Sequence, residues 1–245
     1  PRPPVFDGTG DKYEFELPAV FNEKIAAFCE QQHVTVFVLL LAVYGLFLSR
    51  YSGSRDVVAG TPFSGRRRQH MEEMTGVFVN SLPVFMQAGP EESFISYLDS
   101  VKQTVTGMMD HQEITLEELL ELAGVRRTRE KNPLFSVMFT MTPLKNGELS
   151  IGKAGLTYLP FDTHAVKMDL NLEAVFIQER YHFQFEYARS LFDEVTIAFY
   201  SRCYLQGLKE VLQNPEALLT EITLLDKADK IRLLDQPVRL RTPYD

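Results

Sequence analysis

Residues 36–48 restrict the fold more than any other feature of this chain. They read Val, Phe, Val, Leu, Leu, Leu, Ala, Val, Tyr, Gly, Leu, Phe, Leu, without a single charge. A helix that is apolar on every side has no face to offer water, so it must be buried within a protein or a bilayer. The run is shorter than the ~18 residues expected of a spanning helix, and Gly45 interrupts it. It reads as a buried core helix, capped by Thr35 and running to about Tyr51 before Gly53.

The flanking segments supply that core with partners. Residues 13–17 alternate Tyr, Phe and Leu with glutamate, the period of a half-buried strand, and Phe21, Ile25 and Phe28 share one face of a helix between Pro18 and Gln32. Residues 56–61 form a short strand. Residues 76–86 read as a buried strand whose last third Pro83 pushes toward an edge or bulge. Phe94, Leu98, Val101, Val105, Met108 and Met109 recur at helical steps, the clearest amphipathic pattern in the chain. Thr115 and Glu118 form a capping box for a shorter helix closed by Gly124. Strands follow over 134–141, 169–177 and 181–187, the last two as a hairpin around Gln178-Glu179-Arg180. In 181–187 the aromatic Tyr181, Phe183, Phe185 and Tyr187 face one way, and His182, Gln184 and Glu186 face the other. Asp193 caps a long helix to about Gln213, ended by Asn214-Pro215, and 229–234 add a last turn or two. The sum is one α/β layered domain whose strands are mostly not in strict βαβ alternation. Residues 1–12 and 236–245 read as linkers.

Charge and rare residues exclude several functions. The 33 acidic residues against 25 basic ones give a net charge of −8, which disfavours nucleic acid and anionic membranes and favours a small-molecule or protein partner. Cys29 and Cys203 fall within helical patterns, where a lone thiol behaves as a small apolar group, and this suits a reducing cytoplasm. The five histidines show no His-x-x-x-His spacing and the cysteines no Cys-x-x-Cys, so no metal site is expected. No nucleophile elbow, phosphate-binding loop or dinucleotide fingerprint is present.

Three segments remain: Gly76-Val77-Phe78-Val79-Asn80-Ser81-Leu82, His111-Gln112-Glu113 and Asn132-Pro133-Leu134-Phe135. In order and spacing they resemble the three C-terminal signature motifs of the condensation domains of non-ribosomal peptide synthetases. Thr61-Pro62-Phe63-Ser64-Gly65-Arg66 is similar to that family's G-T-P-x-x-G-R segment. The family's upstream His-His-x-x-x-Asp-Gly motif has no counterpart, since no two histidines are adjacent. The resemblance implies a C-terminal lobe only, over residues 13–235. Its fold would be a chloramphenicol-acetyltransferase-like α/β lobe, a layered mixed sheet with helices packed on it.

The implied activity is amide-bond formation between a carrier-bound acyl or peptidyl donor and an aminoacyl acceptor thioester, in antibiotic biosynthesis. The implied partners are the N-terminal lobe, upstream and downstream peptidyl carrier proteins, and an adenylation domain after residues 236–245. Substrates would arrive on 4′-phosphopantetheine, with no cofactor bound by the chain itself. Lacking the histidine base, the isolated chain should be inactive. Two other readings stay open: a non-catalytic condensation-like platform, and a self-contained carrier-protein-binding module.

Asn80 is the polar exception in an apolar segment, so its amide is either satisfied internally or faces a polar channel. The resemblance places it in the substrate tunnel with Phe78 and Ser81. Ser81 stands where the family usually has threonine, and Phe85 where many members have arginine. His111 and Gln112 map onto the His-Gln pair, as architecture or as substrate contact, and His111 ends the long amphipathic helix. Arg127 and Asn132 belong to the third motif, either as a turn that sets strand register or as part of the tunnel or lobe interface. Arg66 and Arg67 are either solvated loop charge or contacts for the phosphate of the phosphopantetheine arm. Asp169 reads as a buried structural carboxylate.

Overall fold

A computed structural model describes residues 2–66, 71, 73–126, 132–142, 149–151, 154–156 and 164–235. In chain order the elements are β1 (Gly10–Glu16), α1 (Val20–Gln32), α2 (Val36–Ser52), β2 (Asp56–Phe63), β3 (Asn80–Gln87), α3 (Phe94–Asp110) and α4 (Leu116–Ala123). There follow β4 (Val137–Thr142), β5 (Leu149–Ile151), β6 (Ala154–Leu156), β7 (Leu170–Ile177), β8 (Arg180–Ala188), α5 (Glu194–Gln213) and α6 (Lys227–Asp235).

Helix α2 is the central core element that its sequence requires. Every residue from Val38 to Phe47 is buried, and each fully buried leucine contributes on the order of 1.5–3 kcal/mol relative to exposure. The Thr35 hydroxyl accepts the Val38 N–H at 3.3 Å to start the helix, and Gly53, left-handed at φ 69°, ends it. Around α2 stand α1, α3 and α5, with β2 and β4 of the main sheet beneath. Tyr44 of α2 lies against Phe139 of β4 and Tyr204 of α5, with ring centroids 6.0 and 6.4 Å away. No single helix among the described residues is long and apolar enough to cross a membrane.

The main sheet has six strands in the order β1-β8-β7-β4-β2-β3. Pairs β4/β7 and β2/β4 are parallel, while β1/β8, β7/β8 and β2/β3 are antiparallel. Alternation separates its faces. Phe15, Phe183, Phe185, Leu172, Phe139, Ala59 and Val84 point into the helical layer and the core cluster. The opposite face is polar and cross-linked. Thr140 donates to Asn171 at 3.3 Å, Asn171 to Glu186 at 3.2 Å and Thr142 to Glu173 at 2.8 Å, and Lys12 pairs with Glu186 at 3.4 Å.

Several boundaries differ from the sequence reading, each for a local reason. Strand β1 begins at Gly10, inside the stretch expected as linker, because it pairs with β8 up to Gly10↔Ala188. Strand β3 begins only at Asn80, whose partner Phe63 is the last residue of β2, so the stretch from Gly76 to Val79 has no ladder to join. As the edge strand, β3 accommodates Pro83 opposite Gly60. Strand β4 starts at Val137 rather than residue 134, because the Asn132 side chain takes the N–H groups of Leu134 and Phe135 into a turn. The β7–β8 hairpin turns on two residues, Gln178 and Glu179, at φ 48° and 60°, with Ile177 paired to Arg180. Non-glycine residues at both left-handed positions weaken the sequence signal for such a turn. The small β5–β6 hairpin had no sequence signal at all.

Candidate functional site

The site is built where β2 ends, β3 begins and the loop after α3 returns to the sheet. Asn80 starts β3 on the same side as Leu82 and Val84, by alternation. Its Nδ2 donates to the Gln112 carbonyl at 3.1 Å and to the Ile114 carbonyl at 2.6 Å. Both amide protons are therefore used internally, which is the satisfied alternative of the two that its sequence allowed. The bonds tie the first motif directly to the second.

The second motif is organised by local capping. His111 is the C-cap of α3, exposed, with its N–H on the Met108 carbonyl at 3.1 Å. The Gln112 side chain donates to the Met109 carbonyl at 2.9 Å. Thr115 then opens α4 with the expected capping box, its hydroxyl accepting the Glu118 N–H and Glu118 accepting the Thr115 N–H at 2.8 Å. The backbone N–H and hydroxyl of Thr115 hold the Glu118 carboxyl below its ordinary range. Glu113, Ile114, Glu118, Glu121 and Leu122 line a shallow hollow of about 540 Å³ beside this loop.

Arg66 follows Gly65, which sits at φ 65° and passes so close to the Phe78 carbonyl that a side chain there would collide with it. The guanidinium bonds to the carbonyls of Met71, Met74 at 2.8 Å and Gly76 at 3.3 Å, and lies 4.4 Å from the centroid of the Phe78 ring. A phosphate at Arg66 would have to displace these partners. Phe78 is half-buried beneath this arginine, while its neighbours Val77 and Val79 are 95% and 61% exposed. Ser81 points to the sheet face opposite Asn80, in the row of Pro62. Asn80 and the Gln112 backbone are thus brought together, Phe78 is paired with Arg66, and Ser81 faces away from Asn80. Arg67 and Arg127 lie outside the described residues.

The third motif lies at the other end of the sheet. Asn132, Pro133, Leu134 and Phe135 line a cleft of about 590 Å³ with Tyr51, Val57, Leu170, Phe192 and Tyr200. Asp56, which also lines the cleft, and Phe63 are the two ends of β2, roughly 23 Å apart at the rise of a strand. Asn132 performs the turn that its structural reading predicted, and Phe135 packs over Gly60, where no side chain would fit. Asp169 is buried and receives the Arg2 guanidinium on both oxygens, one at 2.9 Å. Thr61, which the sequence places in the G-T-P-x-x-G-R-like segment without assigning it a role, is fully buried, and its hydroxyl donates to the Phe139 carbonyl at 2.9 Å and ties β2 to β4. A threonine in a short strand gives no signal of this kind. Among the described residues no group of acidic, histidine or cysteine side chains is arranged to hold a metal ion.

The chain matches the family described as Condensation domain over residues 1–234. It is 32% identical over 244 residues to tyrocidine synthase 3 of Brevibacillus parabrevis, covering 100% of this chain and 4% of that one. It is 35% identical over 236 residues to tyrocidine synthase 2 of the same organism, covering 96% and 6%. With surfactin synthase subunit 2 of Bacillus subtilis (strain 168) it shares 30% over 235 residues, covering 96% and 7%.

Solved structures share the fold. A four-domain nonribosomal peptide synthetase bound to AMP and glycine superposes with a TM-score of 0.86 at 19% identity, over 94% of this chain and 19% of that one. The X-domain from teicoplanin biosynthesis gives 0.83 at 21%, over 92% and 52%. The first condensation domain of the CDA synthetase gives 0.72 at 20%, over 89% and 48%. The fold is therefore the chloramphenicol-acetyltransferase-like α/β arrangement of these domains, and the chain belongs to the condensation-domain family.

Proposed function

We propose that this chain is the C-terminal half of a condensation domain of a non-ribosomal peptide synthetase. It would form one wall of a tunnel in which an acyl or peptidyl donor thioester meets an aminoacyl acceptor thioester. The observation that carries this reading is one of extent. The match takes in 89–92% of this chain but 48–52% of the X-domain and the CDA condensation-domain chain. A histidine pair, which the family's upstream motif requires, is absent from the sequence.

In the reaction the acceptor amine attacks the donor carbonyl carbon, a C–N bond forms, and the C–S bond breaks to release the donor carrier's thiol. The proton leaves the amine through a base that the other half provides. This half lowers the barrier by holding the wall in a fixed shape, since orientation of two bound reactants is worth several kcal/mol. Asn80 serves that shape through its two bonds to the loop after α3. Phe78, with the exposed Val77 and Val79 beside it, offers the apolar surface. The carriers, their phosphopantetheine arms and an adenylation domain downstream are the partners this role needs.

The test is reconstitution. The chain is assayed for amide formation with carrier-loaded donor and acceptor, alone and joined to a half that carries the histidine motif. Product only in the joined form supports the reading. Tight carrier binding without product in the joined form would instead favour the platform or carrier-binding role.

A further inference from the structure

We infer that Arg66 is a positioning residue, an internal clamp that sets the loop leading into β3, and that it is not a ligand for the phosphate of a substrate arm. The inference rests on the proposed role of this end of the sheet and names the device that fixes its geometry. Arginine suits the task because its planar fork presents several donors in fixed directions and its face stacks on an aromatic ring. Arg66 uses both properties. Its Nη1 bonds to the carbonyls of Met71 and Met74, its Nη2 to that of Gly76, and its plane lies over Phe78.

Three features of the backbone depend on that cation. The stretch from Gly76 to Val79 precedes the ladder, since β3 begins at Asn80, so among the described residues no strand partner holds it. The carbonyls of residues 71, 74 and 76 converge on one point, an arrangement that repels itself unless a cation sits there. Gly65, left-handed at φ 65°, lets the chain pass against the Phe78 carbonyl, which brings Arg66 within reach of the loop. With the clamp closed, Phe78 is held beneath the guanidinium, Val77 and Val79 stand outward, and Asn80 enters the sheet in register with Phe63. Lysine in this place keeps the charge but offers neither the fork nor the stacking face.

Two measurements test the clamp on Arg66→Ala and Arg66→Lys. The first is amide hydrogen exchange on the 245-residue chain, which needs no activity. Exchange at Met74, whose N–H closes on the Met71 carbonyl at 3.3 Å, and at Asn80, where the ladder with Phe63 starts, should quicken about 10-fold or more in both variants, since the loop that the guanidinium ties down is released, while α2 and β7 keep their protection. The second is amide formation by a complete condensation domain containing this half, with the acceptor supplied either on its carrier or as a short thioester lacking phosphate. The clamp predicts a kcat loss of about 10- to 100-fold that is the same for both acceptors, with KM little changed and lysine failing to rescue. A loss confined to the phosphate-bearing acceptor and expressed in KM overturns the proposal, as does unchanged exchange at Met74 and Asn80. A parent domain that forms no amide at all speaks against the proposed function, and the exchange data then still decide on the clamp.

Discussion

At the scale of single residues, what matters about Asn80 is the direction of its bonds. Its side chain donates twice to carbonyls of the loop after α3, so the useful chemistry lies in its N–H groups. Asn80→Ala removes both bonds and should cost about 1–3 kcal/mol. Asn80→Asp keeps the size but sets a carboxylate against two carbonyl oxygens, and should cost more than alanine at neutral pH. Urea unfolding of the two variants checks the order, and an aspartate variant as stable as wild type would refute it. The sequence showed that an amide in an apolar strand must find partners. It could not name them, because those partners are backbone carbonyls of residues 112 and 114, and every residue carries one. The same limit applies to Arg66, whose partners are carbonyls and one ring. A run of arginines looks alike whether it faces solvent or grips the backbone.

Between elements, close approach decides more than propensity. Strand β2 lies between β3 and β4, and at Gly60 the ring of Phe135 occupies the space a Cβ would need. Gly60→Ala should destabilise by about 1–3 kcal/mol through overpacking. In a Phe135→Ala background the same substitution should cost close to nothing. A double-mutant cycle by denaturant unfolding measures this coupling, and additive effects would show that the ring is not what excludes the methyl. The β7–β8 hairpin offers the opposite case. Gln178 and Glu179 both hold left-handed backbone, which Asn and Gly adopt more readily, so the pair Gln178→Asn and Glu179→Gly should stabilise by about 0.4–1 kcal/mol. A raised thermal midpoint is the expected reading.

Helices and long strands were legible because side-chain period and caps act locally: Thr35, Thr115 and Asp193 cap where their sequences place them. Strand starts were less so. The lengths of β1 and β3 are set by partners far along the chain, as Gly10↔Ala188 and Asn80↔Phe63 show.

For the molecule as a whole, the three motifs that stand out in the sequence do not form one cluster. The first two share the Asn80 end of the sheet, and the third braces the far end of β2. What unites both ends is the core around α2, and that core is rich in groups that resist ionisation. Burial pushes the thiol of Cys29 up to about 11 and that of Cys203 up to about 12. It also raises Tyr44, Tyr97 and Tyr204 far above the ordinary phenol range. Each of these groups keeps its proton in the folded chain at a pH where the unfolded chain has lost it, near ~8.5 for thiols and ~10 for phenols. The unfolded state then binds fewer protons than the native one, so stability must fall as pH rises. The stabilising contribution is complete below about pH 8.5 and is lost progressively above it. Urea midpoints should be level for these groups between pH 7 and 8, then drop steadily to pH 11. Cys29→Ala and Cys203→Ala should flatten the first part of that decline, between the thiol and phenol ranges, while leaving the later part in place. A midpoint independent of pH up to 11 would mean that these groups ionise in the folded chain, and that water reaches the core around the buried helix α2.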